Sequence, residues 1–80
     1  MTFICETAAM LLPIFIHVRG CSLEINGRKF TYRRGVYVGR ELNVNFDGKS
    51  AVFYIKKYDD IVTFRCEKFD GKQRISDDQR

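Results

Sequence analysis

The twelve residues from Cys21 to Tyr32 leave room for little other than a β-hairpin. Cys21, Leu23 and Ile25 alternate with Ser22 and Glu24, and Phe30 and Tyr32 alternate in turn with Lys29 and Thr31, which is the period of a strand with one covered face. Between the two runs lies Asn26-Gly27, a pair that tolerates positive φ at both central positions of a two-residue turn. Such a turn opposes Ile25 to Arg28, Glu24 to Lys29, Leu23 to Phe30, Ser22 to Thr31 and Cys21 to Tyr32. One face then collects Cys21, Leu23, Ile25, Phe30 and Tyr32. The other carries Ser22, Glu24, Lys29 and Thr31, with Glu24 and Lys29 forming an ion pair across the strands.

Period two continues along the chain. Gly35 and Gly39 bracket Val36-Tyr37-Val38, which predicts a short segment at a corner of a curved sheet. Leu42, Val44 and Phe46 alternate with polar residues before Asp47-Gly48 turns the chain. A second hairpin is predicted from strands over 51–57 and 61–66, with a tight turn at Asp59-Asp60. A two-residue turn there opposes Ile55 to Phe64 and Phe53 to Cys66 inside, and Tyr54 to Arg65 and Lys56 to Thr63 outside. No window carries a helical apolar stripe beyond one turn over 7–12, ahead of Pro13. The predicted fold is therefore all-β: five or six short antiparallel strands, closed into a small barrel or a strongly curved sheet so that few edges stay open. Residues 1–70 form this single domain. Residues 71–80, where charges alternate and Ile75 is the only apolar residue, read as a polar flexible tail.

Eighty residues hold one small domain. A hydrophobic share of 45% with 30% charged residues marks a chain that folds. A domain of this size buries only about 60% of its unfolded surface, so a large internal substrate pocket would consume the core; a binding surface is the expectation. Cys5, Cys21 and Cys66 are odd in number and lack CxxC spacing, arguing against both a disulfide framework and a metal site and for a reducing, cytoplasmic location. His17 has no second histidine with which to bind metal or relay protons. The apolar residues 8–18 are too short for a membrane-spanning helix and are interrupted by Pro13 and His17; they also lack the cationic start of a signal peptide.

Ser22, Ser50 and Ser76 share one histidine and lie in no nucleophile elbow. Asn26-Gly27-Arg28-Lys29 lacks the spacing of a phosphate loop. Asp59-Asp60 and Asp77-Asp78 read as solvated turn or tail residues, because adjacent side chains diverge. No catalytic residue, metal or cofactor is expected, and the chain reads as a non-enzyme.

Charge carries the remaining information. Fourteen Lys and Arg against ten Asp and Glu give a net charge of +4. Between Asn26 and Arg40 stand Arg28, Lys29, Arg33, Arg34 and Arg40 with no acid among them. That cluster suits a phosphate backbone, with Tyr37, Tyr54 or Tyr58 available to stack or to donate to phosphate. Lys56 and Arg65, outward on the second hairpin, extend the candidate set.

The order of residues also resembles a known family. Met10-Leu11-Leu12-Pro13, a short strand through Val18-Arg19, and then Gly20 to Phe30 with its glycine turn are similar to the entry of the C-terminal β-barrel of phage Mu-type transposases and related integrases. Val38-Gly39-Arg40-Glu41-Leu42-Asn43-Val44-Asn45-Phe46-Asp47 looks like that family's glycine-basic strand ending in aromatic-aspartate, and 51–55 like its next strand. The match covers about residues 10–70. It departs at Gly48, where the family usually has proline, and it includes no counterpart of the metal-binding carboxylate triad. The resemblance implies a mobile-element or phage module that makes sequence-tolerant contact with double-stranded DNA, RNA remaining open, and helps assemble a protein–DNA complex. Arg19, Arg28, Lys29, Arg33, Arg34 and Arg40 are its phosphate contacts. The alternative is a small viral or mobile-element accessory protein that self-associates or docks on a protein partner through the apolar Phe3, Ile4, Leu11, Leu12, Ile14 and Phe15.

Overall fold

Alternation resolves into eight strands in the computed structural model, which describes residues 1–8 and 12–70. They are β1 (Thr2–Glu6), β2 (Ile14–Arg19), β3 (Ser22–Ile25), β4 (Arg28–Arg33), β5 (Val36–Val38), β6 (Leu42–Phe46), β7 (Ser50–Ile55) and β8 (Asp60–Lys68). Each pairs antiparallel with the next, and β8 returns to β1, so the sheet is a closed up-and-down barrel. The β3–β4, β5–β6 and β7–β8 connections therefore share one end, called upper here, and the β2–β3, β4–β5 and β6–β7 connections share the lower end. Glu6, the last residue of β1, pairs with Arg65 on the lower half of β8, a stagger that goes with tilted strands. The polar 71–80 segment lies outside the described residues.

Every second side chain points inward. Cys5, Ile16, Leu23, Ile25, Phe30, Val44, Ala51, Phe64 and Cys66 are buried, and Phe3, Ile14, Val18, Tyr37, Leu42, Phe46, Phe53 and Val62 pack against them. No polar or charged residue is buried among the described residues, so the lumen is filled by apolar side chains. Truncating a side chain such as Leu23, 1% exposed, removes about 2–5 kcal/mol.

The first hairpin has the predicted register, from Ser22 opposite Thr31 to Ile25 opposite Arg28. Asn26 and Gly27 both take positive φ, 53° and 79°. Two details differ. Cys21 and Tyr32 lie at the barrel's lower rim and are exposed, because the inward face of a strand opens to solvent where the strand ends. Arg28 shares the inward parity of Ile25 but lies at the upper rim. There it pairs with Glu41 at 3.2 Å, while Glu24 and Lys29, although opposed, form no ion pair.

The second hairpin turns earlier than predicted. Ile55 opposes Asp60, Phe53 opposes Val62 and Ala51 opposes Phe64, leaving residues 56–59 as a four-residue turn. Asp59 takes φ 55°, its N–H donates to the Lys56 carbonyl at 3.3 Å, and its carboxylate accepts the Tyr54 hydroxyl at 2.7 Å. These local bonds close the loop before Asp59-Asp60 can become its centre. Each partner moves by four residues, an even step, so the faces survive although the pairs change.

Eight strands, rather than five or six, arise because β1 is added and β2 runs the full width of the barrel. Their outward residues are not uniformly polar. Ile4 opposes Phe15, and Phe15 packs edge-on against Phe69 at 5.2 Å between ring centroids. Apolar side chains on both faces erase the alternation that marks the other strands.

Cys5 and Cys66 oppose each other across the β1–β8 seam and form a disulfide, correcting the expectation that the odd cysteine count argues against one. Spacing along the chain carries no information about this pair, because closure brings together residues separated by 61 positions. The cysteine count therefore no longer argues for a reducing location, since disulfides persist chiefly in oxidising compartments. Only Cys21 remains as a free thiol, and it is exposed. A cross-link over so long a loop stabilises by about 4 kcal/mol in the chain-entropy picture. Replacing both cysteines by alanine should therefore lower unfolding free energy in urea by about 2–4 kcal/mol with the strand content retained; an unchanged midpoint would mean that the seam is held without it.

Candidate nucleic-acid interface

Outward positions on β4 follow from the hairpin parity. Lys29, Thr31 and Arg33 project from one side of the strand, while Arg28 and Arg34 flank its two ends. Across β3, Ser22 opposes both Thr31 and Arg19, so Arg19 lies at the lower end of the same ribbon. The result is two groups of cations on β2–β4. Arg19, Arg33 and Arg34 lie low, Arg28 and Lys29 lie high with Arg40 beside them on the β5–β6 loop, and all six are exposed. Four residues separate Lys29 from Arg33, about 13 Å along a strand. Among the described residues no hydrogen bond or ion pair engages the side chains of Arg19, Lys29, Arg33, Arg34 or Arg40, whereas Arg28 is bound to Glu41. Both partners of that pair are about two-thirds exposed, so it is worth at most about 1 kcal/mol and is readily exchanged for a stronger anion.

The backbone at Arg34 is unusual. Arg34 and Gly35 form the two-residue turn between Arg33 and Val36, with φ of 50° and 89°. Left-handed backbone costs an ordinary side chain roughly 1–2 kcal/mol, and Asn or Gly is the residue such a turn prefers. An arginine here projects its charge from the tip of the lower rim.

The other predicted contacts are not gathered with these. Arg65 is on β8, four strands away in a ring of eight, and so on the opposite side of the barrel. It lines a cleft of about 600 Å³ together with Glu6 and Glu67, whose carboxylates outnumber it. Lys56 is exposed but donates to the Gly39 carbonyl at 2.8 Å. Tyr37, expected to be exposed, points inward and packs against the core, its ring edge-on to Tyr32 at 5.1 Å; Val36 and Val38, its neighbours, take the outward positions. Tyr32, read as an inner residue, is 49% exposed at the rim. Tyr54 is partly exposed with its hydroxyl occupied by Asp59, and Tyr58 is 69% exposed beneath the Lys57 ammonium, 5.5 Å from its ring centre.

No family model, no curated protein and no solved structure matches the chain. The likeness to the Mu-type barrel thus rests on the quoted residues alone, and the site is read from its own chemistry. Among the described residues no group of three or more His, Cys, Asp or Glu side chains could hold a metal ion, and no helix is long and apolar enough to cross a membrane.

The apolar residues considered for self-association separate by parity. Phe3 and Ile14 point into the barrel, Ile4 and Phe15 point out, Leu12 is 75% exposed, and Leu11 lies outside the described residues.

Two carboxylates shape turns away from the ribbon, Asp47 between β6 and β7 and Asp59 between β7 and β8. Asp47 accepts the Lys49 and Ser50 N–H groups, each at 2.8 Å, and these backbone bonds stabilise its carboxylate and hold its pKa below the usual value of 3.8. The Asp59 bond, and then its negative charge, raise the Tyr54 phenol above 10.0. A raised acid contributes stability below its unfolded pKa, which is lost as pH rises through the folded value. Replacing Asp59 by asparagine should bring one phenol back toward 10.0 in a phenolate absorbance titration. Overlapping titration curves for wild type and variant would show that Tyr54 does not depend on Asp59.

Proposed function

We propose that this barrel is a non-catalytic module that binds double-stranded DNA with little sequence preference, through the outer face of β2–β4. The observation that carries the reading is the conversion of an acid-free run of five cations into one exposed ribbon. Its side chains, Arg28 apart, are not engaged within the protein. Two cationic groups about 13 Å apart compare with a major groove about 12 Å wide, a span suited to phosphates on both sides of a groove. Thr31 between them offers a hydroxyl donor to the backbone, while the Ser22 hydroxyl is given to the Arg19 carbonyl at 3.0 Å. Left-handed Arg34 also speaks for the reading, since strained backbone clusters at functional sites.

Help in assembling a protein–DNA complex, as in the Mu-type transposases that the sequence resembles, is consistent with a small barrel having a second face available. Self-association is the second reading, favoured by the exposure of Leu12 and Phe15 beside Ile4. Gel filtration separates the two, a dimer that retains no DNA favouring self-association.

Binding of a short random-sequence duplex should weaken about a hundredfold between 50 and 200 mM salt if four phosphates are neutralised. Replacing Arg33 and Lys29 together by glutamine should reduce the salt slope by about two. Affinity that ignores salt would remove the proposal. Separately, Arg34→Asn should raise unfolding free energy by about 1 kcal/mol while weakening duplex binding; a variant that is stabilised and binds as before would show that Arg34 is not a contact.

A further inference from the structure

At the upper rim, three of the ribbon's cations and one carboxylate line a concavity. Between the β3–β4 turn and the 39–41 loop lies a cleft of about 230 Å³ lined by Arg28, Lys29, Arg40 and Glu41, with Phe30 and Leu42 as its apolar wall. The loop is tightly fixed. A side chain on Gly39 would run into the Phe30 ring and come within 2.8 Å of the Leu42 carbonyl oxygen. The Gly39 N–H donates to that same carbonyl at 3.0 Å. From the far side of the loop's sequence, Lys56 clamps the Gly39 carbonyl at 2.8 Å and reaches that of Arg40 at 3.4 Å. Arg40 is thus carried on a rigid support.

Three cations and one carboxylate leave two positive charges at this cleft, and the carboxylate is already committed to Arg28 at 3.2 Å. An internucleotide phosphate brings one negative charge and a strand continuing on both sides. A terminal phosphate monoester brings roughly 1.5–2 at neutral pH and continues on one side only. The first suits the open outer face of β4; the second suits a notch between a turn and a loop. We propose that the cleft of Arg28, Lys29 and Arg40 seats a terminal phosphate monoester of a nucleic-acid strand, so that the barrel favours phosphorylated ends over continuous backbone. This rests on the DNA-binding reading for its ligand, while the cleft's preference for a monoester follows from its own charge.

The test uses the full chain and one short duplex, prepared with phosphate or with hydroxyl at its strand ends, and a deoxynucleoside monophosphate as a minimal probe. The phosphorylated duplex should bind several-fold more tightly. The monophosphate should shift the amide signals of Gly39, Arg40 and Leu42 more than the corresponding nucleoside does. Arg40→Gln, an exposed change that leaves the Arg28–Glu41 pair in place, should abolish the preference for phosphorylated ends. Arg33→Gln should weaken both duplexes equally. Equal affinity of the wild-type protein for the two duplexes, with no amide shifts from the monophosphate, would overturn the end-binding proposal and leave duplex binding intact. Amide shifts from the monophosphate with no binding of either duplex would support the cleft's chemistry while removing the DNA interface.

Discussion

Closure of β8 onto β1 is the constraint on which the molecule depends. Seven of the eight strand pairings link elements adjacent in sequence, and hairpins or short loops secure them locally. The eighth joins Phe3, Ile4, Cys5 and Glu6 to Lys68, Glu67, Cys66 and Arg65. Without it the same strands would form an open sheet with two exposed edges and an apolar face, an arrangement prone to edge-to-edge association. With it, Cys5 and Ile16 are fully enclosed, and every strand has two neighbours. The disulfide secures the one junction that no local turn could enforce.

That constraint also separates what the sequence made legible from what it did not. The Cys21–Tyr32 hairpin was readable to the residue because Asn26-Gly27 and its alternating flanks each specify the same register. β5 and β6 were readable for similar reasons, bounded by glycines and an aspartate turn. β1 escaped because Phe3-Ile4-Cys5 is apolar on both faces, Ile4 being half-covered beside Phe15 and Phe69. The second hairpin failed in register and not in face, since the Tyr54–Asp59 hydrogen bond centres its turn earlier than the paired aspartates suggested. The Cys5–Cys66 partnership is a property of the closed ring, invisible to spacing.

The candidate surface was legible as composition and only partly as geometry. Parity along β4 correctly placed Lys29 and Arg33 outside. It would also have placed Tyr37 inside, had the step from Tyr32 across the Arg34-Gly35 turn been followed. The sequence could not say that Arg65 lies on the opposite wall, because that depends on strand number, and in a ring of eight the fourth and eighth strands face away from each other. Nor could it say that Arg34 would occupy left-handed backbone, which depends on the turn closing with two residues.

The same seam sets an order of events during translation. β1 leaves the ribosome first and β8 last among the strands, so the nascent chain carries an unsatisfied edge and an open apolar face for most of its synthesis. Premature termination anywhere before β8 would release a ribbon that cannot close, with Cys5 left as an unpaired thiol.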